Sequence, residues 1–154
     1  MTIREHPLAW RWTDPRHAVL SDGVLAQMEP AEDHEAAQLS RMSLRLLHGE
    51  TFSSVHFKTV VRHPADLPAE MVRAWLSQQQ PDLSVPVVVA WRKEPPIRTD
   101  WGIFTAHWNT FCYPSSDDVV VWPQSALWAL YYHHEEEFQF AGGRRNVFQR
   151  HSKV

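Results

Sequence analysis

The chain has 154 residues, 44% of them hydrophobic and only five glycine, which fits one folded domain with a real core and excludes a disordered chain. No apolar run approaches the ~20 residues of a membrane-spanning helix, the start MTIREHPLAWRW lacks the apolar stretch of a signal peptide, and a single cysteine excludes an internal disulfide or a multi-cysteine zinc site. Cytoplasmic residence is the expectation. Of fifteen basic residues, Arg144, Arg145, Arg150 and Lys153 lie in the last stretch, leaving eleven against eighteen acids and so a body of about −7, a balance that argues against nucleic-acid binding.

In chain order, the alternation of Leu8, Trp10 and Trp12 suggests a short strand or an extended arm. Ser21-Asp22 opens a short helix that runs to Met28, and Pro30 breaks it. Residues 31–48 read as a long helix, acidic at its start (Glu32, Asp33, Glu35) and basic at its end (Arg41, Arg45, His48), as the helix dipole prefers. Gly49 is placed to cap it. Thr51 to Arg62 leans to strand on its β-branched residues. Asp66 to Gln79 is a helix with Met71, Val72, Trp75 and Leu76 as its buried face, and Pro81 ends it. Pro86 to Trp91 is a buried strand, and Lys93 to Arg98 a loop.

Thr99 to Gly143 organises the rest, with four of the eight tryptophans and the one cysteine. Trp101, Phe104, Thr105, Trp108, Phe111 and Cys112 recur at helical spacing, so the sequence predicts a helix over 99–112 capped by Thr99. Pro114 stops it. Ser115 to Asp118 is a turn, and Val119 to Trp122 a wholly apolar strand. Leu127 to His133 or His134 is a second strand, Glu135-Glu136-Glu137 a hairpin tip, and Phe138 to Phe140 a third strand ended by Gly142-Gly143. The expected fold is α+β: one domain over residues 1–143, with a mostly antiparallel sheet of four to five strands. Helices 31–48, 66–79 and 99–112 are expected on one face, and 144–154 forms a basic tail.

Catalytic signatures are absent. There is no G-x-S-x-G, Walker loop or G-x-G-x-x-G. His133-His134-Glu135-Glu136-Glu137 begins like H-E-x-x-H, but Phe138 stands where the second histidine belongs. On a strand His133 and His134 point to opposite faces and cannot share an ion without a kink. Cys112 lies on the apolar stripe of its helix, where a lone thiol is a small buried hydrophobe. Asp117-Asp118 reads as a turn before a strand. Trp75, Trp91, Trp101, Trp108, Trp122 and Trp128 are expected in the core, with Trp10 and Trp12 uncommitted.

Trp10-Arg11-Trp12, the segment Ser21 to Met28, and Thr99-x-Trp101-x-x-Phe104-x-x-x-Trp108-x-x-Phe111 with the strands after it carry a resemblance. In these residues the chain resembles a family of small bacterial proteins catalogued as domain of unknown function number 2947. That resemblance implies a compact single domain and supplies no activity or site residue.

The expectation for function is a binding module without catalysis, such as an immunity protein that neutralises a basic toxin domain. Asp117, Asp118, Glu135, Glu136 and Glu137 would form its contact surface. It needs no cofactor, nucleic acid or membrane. The alternatives are a metal-dependent hydrolase using His133 or His134 with Asp117, Asp118 and Glu135, or a structural or regulatory domain. Oligomeric state is not legible in the sequence.

Overall fold

The computed structural model describes residues 1–145; the remainder of the expected basic tail, 146–154, lies outside the described residues. A 3-10 turn (Ile3–Glu5) and two short helices, α1 (Trp10–Thr13) and α2 (Asp22–Leu25), open the chain. Strand β1 (Glu29–Pro30), helix α3 (Asp33–Leu46) and the hairpin of β2 (Leu47–His48) and β3 (Thr51–Phe52) follow. Next come β4 (Phe57–Pro64), α4 (Ala69–Gln79), β5 (Pro86–Trp91) and β6 (Ile97–Asp100). The helices α5 (Trp101–Ala106) and α6 (Trp108–Phe111) lead into the meander β7 (Val119–Pro123), β8 (Ala129–His133) and β9 (Glu137–Arg144).

The chain is α+β with a large antiparallel sheet. Seven strands run in the order β1-β6-β5-β7-β8-β9-β4, each pair of neighbours antiparallel, so the sheet exceeds the four to five strands expected. The extra strands come partly from Ile97 to Asp100, expected as loop and helix cap. Val87 pairs with Thr99 and Val89 with Ile97, and β1 adds to the far side. Among the described residues no helix is long and apolar enough to cross a membrane.

Helices cover both faces of the sheet, not one. Val87, Val89 and Trp91 of β5 and Val119 and Val121 of β7 point into a core shared with Trp12, Leu76, Trp101, Phe104, Trp108 and Phe111. Val88 and Ala90, with Val120 and Trp122, point the other way, into a second core with Leu46, Phe52, Phe57 and Tyr131 and with Leu39 and Met42 of α3. Successive strand residues alternate faces, so the unbroken apolar runs VVVAW and VVVW are the consequence of burial on both sides.

Several local expectations give way to hydrogen bonding. Leu8 and Trp12 are buried together on one side of a helical turn while Trp10 faces out. Over five residues two strand repeats and one helix turn have the same length. The 99–112 helix is two pieces, because His107 leaves the helical region at φ −125, ψ 25. Its cap is Asp100, whose side chain accepts from the Ile103 amide at 2.7 Å. Gly49 does not end α3. It sits at φ +66 in the β2–β3 turn, where a glycine avoids the Cβ clash of left-handed backbone. Order also continues past Gly142-Gly143, since β9 pairs with β4 as far as Phe57 and Arg144.

Candidate functional site

β5, β7 and β8 alternate in direction, so one end of the sheet receives the end of β5, the start of β7, the β8–β9 turn and the loop after α6. Arg92, Asp117, Asp118, His133, His134 and the glutamate tip gather there. Their roles differ from those the sequence suggests.

Asp117 is buried, only 8% exposed, and fully engaged. Its Oδ2 accepts from Arg11 at 2.6 Å and from the Tyr113 amide at 2.8 Å, and Oδ1 accepts from Arg11 at 3.2 Å. The guanidinium of Arg11 lies 3.9 Å from the Tyr113 ring centroid and 5.3 Å from that of Trp10, within cation–π range. Asp117 therefore serves as the counter-charge of Arg11, and both of its oxygens are already engaged.

Asp118 also points inward. Its Oδ1 accepts from Tyr131 Oη at 3.0 Å and from His134 Nδ1 at 3.1 Å, while Arg92 Nε lies 3.4 Å from Oδ2. Burial pushes its pKa up, but the bonds from His134 and Tyr131 and the charge of Arg92 outweigh burial and hold it below the usual carboxylate value. Burial, then the neighbouring Asp118 charge, drives the Tyr131 phenol well up, so it stays protonated and donates.

The two histidines do not point apart. β8 ends at His133, His134 enters the turn, and their rings stack at 4.1 Å. His133 Nε2 lies 3.2 Å from Glu50, on the β2–β3 turn. Glu50, His133 and His134 form a group whose potential ligand atoms lie within 4.8 Å of one another. The metal set expected from sequence thus keeps both histidines, loses Asp117 to Arg11 and leaves Asp118 behind His134 on its Nδ1. Glu135 contributes its amide, which donates to His133 Nδ1 at 3.1 Å. That bond opposes metal binding through His133 Nε2. A neutral ring accepting at Nδ1 carries its proton on Nε2, where it donates to Glu50. His134 has the favourable arrangement, with Asp118 on Nδ1 and Nε2 left as an acceptor. Glu50 escaped sequence reasoning because the β2–β3 hairpin is held on the sheet by residues distant in sequence: the Gln139 amide donates to Glu50 O and accepts from Thr51 and Phe52, and Arg62 donates to Thr51 Oγ1.

Of the expected contact acids, only Glu135 is fully exposed, and Glu136 is half-buried at φ +61 in the turn. Glu137 pairs with Arg62 at 2.8 Å. The Ala65 amide donates to the Glu136 carbonyl and brings exposed Asp66 to the same tip. Cys112 is buried, and burial with the Asp117 charge pushes its thiol well up, away from nucleophilic use.

A cleft of about 560 Å³ also opens at this end. Trp10 and Tyr113 form an aromatic wall, edge to face at 5.6 Å, while the Arg11–Asp117 pair and Trp91 line its base and Arg92, Lys93 and Glu94 its rim. Trp10, 40% exposed, is the one tryptophan among the large exposed apolar residues. The loop carrying Tyr113 is tied to the hairpin tip by the Ser115 amide, which donates to the His134 carbonyl at 2.9 Å.

No protein-family model, curated protein or solved structure matches the chain.

Proposed function

We propose that this protein acts by binding another protein, without catalysis, and that Trp10 anchors the contact. The observation that carries the reading is the exposed Trp10 edge-on to Tyr113 above a cleft of about 560 Å³. Tryptophan, tyrosine and arginine dominate binding hot spots because they bury large rigid area around a few directed polar groups. The cleft rim is mixed in sign. The preference for a basic partner, such as a toxin domain, rests on the adjacent tip, where Glu50, Asp66, Glu135 and Glu136 have no Lys or Arg ion pair among the described residues. Such a tip speeds encounter more than it adds affinity.

The test is affinity capture from the source cell with the wild-type chain, Trp10→Ala and Glu50→Gln/Glu135→Gln. A partner held by wild type should be lost with Trp10→Ala, and the double variant should bind it more slowly and with a shallower salt dependence. A folded Trp10→Ala protein that keeps every wild-type partner would overturn the reading, as would a wild type that retains none.

The second reading, a metal-dependent hydrolase, has the Glu50–His133–His134 group in its favour and the Glu135 amide on His133 Nδ1 against it. Stoichiometric zinc or manganese after dialysis, lost on His134→Ala, would restore it.

A further inference from the structure

On the opposite side of Arg92 from the aromatic cleft, a cavity of about 290 Å³ opens between α3 and the sheet face it covers. It exists because the facing residues are small: Ser40 and Ser43 on the helix and Ala90 on β5. Leu44, Leu47 and Val120 add apolar wall, and Asp118, Arg92 and Tyr131 make one end polar. An engineered cavity of ~150 Å³ holds benzene, so this one has room for a ring and a polar group.

The polar end is a donor beside an acceptor. Arg92 Nε approaches Asp118 Oδ2 at 3.4 Å, longer than the ~2.7–2.9 Å of a good ion-paired hydrogen bond. Asp118 Oδ1 is occupied by Tyr131 and His134, whereas Oδ2 has only longer contacts, 3.3 Å to His134 Nδ1 and the one to Arg92. An anion entering here meets Asp118, and a cation meets Arg92. A neutral group that donates on one side and accepts on the other satisfies both.

We infer that this cavity binds a small uncharged molecule with a ring-sized apolar body and a primary amide. The amide N–H donates to Asp118 Oδ2, its carbonyl accepts from the Arg92 guanidinium, and the body lies against Leu44, Leu47, Ala90 and Val120. The apolar volume favours a free ligand over an Asn or Gln side chain of a partner, whose amide brings no ring. Trp91, Arg92 and Asp118 also line the aromatic cleft, but neither Trp10 nor the glutamate tip takes part, so this inference does not rest on the protein-binding reading.

The experiment is an amide-resolved NMR titration of the full chain with benzamide, acetophenone and benzoate, each to about 10 mM, since so small a probe binds in the millimolar range. Acetophenone keeps the shape and the carbonyl but lacks the N–H; benzoate adds a charge. Benzamide should shift resonances around Ser40 to Leu47, Ala90 to Arg92 and Asp118 to Val120. The other two should bind about tenfold or more weakly, the effect of a lost or opposed hydrogen bond to a charged group. Arg92→Met should lower benzamide to the level of acetophenone, and Ser40→Phe should fill the space and abolish binding of all three. Equal binding of benzamide and acetophenone, or Arg92→Met without effect, would overturn the amide assignment. No binding of any probe to the wild-type chain would overturn the site. Arg92 and Asp118 line both cavities, whereas Ser40, Ser43, Leu44 and Leu47 line only this one; if Ser40→Phe does not fold, shifts at Ser40 to Leu47 place the site, their absence overturns it, and the Arg92→Met comparison decides the amide assignment.

Discussion

The clearest residue-level result is that adjacent aspartates at one turn have separate internal duties. Asp117 neutralises buried Arg11, and Asp118 orients His134 and accepts from Tyr131. A buried pair contributes little net stability, but removing one partner strands the other charge away from water. Asp117→Asn should therefore cost about 3–5 kcal/mol, read as a lower urea midpoint at unchanged slope. Arg11→Met combined with Asp117→Leu should recover much of that loss. A loss under ~1 kcal/mol for Asp117→Asn, the range of an exposed pair, would mean that the Arg11 charge reaches solvent. None of this was legible in Asp117-Asp118 as a sequence. A turn aspartate and a buried counter-ion look alike until the cation, over a hundred residues away, is brought beside it. Arg11 stands between Trp10 and Trp12, and that aromatic setting was the one available hint.

At the scale of elements, the meander β7–β8–β9 follows from the sequence because each strand is short, β-rich and punctuated by turn residues. The bounds of β5 matched expectation for the same reason, and those of α3 came close because its acidic start and basic end mark a helix. What was missed is the meaning of the unbroken apolar runs in β5 and β7. A sheet covered on one side reads as alternation, whereas these strands are apolar at every position because α3 and the β2–β3 hairpin seal the second face. Trp122 tests this directly, since it points toward α3 and away from the tryptophan-rich helices. Trp122→Ala should cost about 3–5 kcal/mol, as for a large aromatic removed from a closed core. A loss near zero in chemical denaturation would show that face to be open to water.

For the whole molecule, buried His6 and half-buried His56 and His107 tie stability to pH. His6 packs between Trp12 and Trp91, its Nε2 lies 2.8 Å from the Pro95 carbonyl, and its Nδ1 accepts from the Leu8 amide. Burial lowers its pKa, against smaller opposing effects of the Pro95 carbonyl and Glu94, and burial lowers those of His107 and His56 as well. A histidine kept neutral in the fold binds its proton more readily when unfolded. Its stabilisation is complete above the unfolded value of 6.5 and is lost as pH falls from there through the lower folded value. The melting temperature should drop between about pH 7.5 and about pH 5, before the carboxylates with depressed pKa values, Asp118 and Glu35, begin to protonate. A flat profile over that range would contradict the buried neutral state of His6. The sequence by itself determined the class, α+β with an antiparallel sheet, along with the meander, the inert cysteine and most of the buried tryptophans. Those follow from local propensity and from apolar side chains leaving water, both readable within a few residues. Only the tertiary structure decided which acids are internal, that Glu50 meets His133, that Trp10 and Tyr113 share a cleft, and that both faces of the sheet are covered. Each of those depends on groups brought together from distant parts of the chain, where spacing in the sequence no longer measures distance in space.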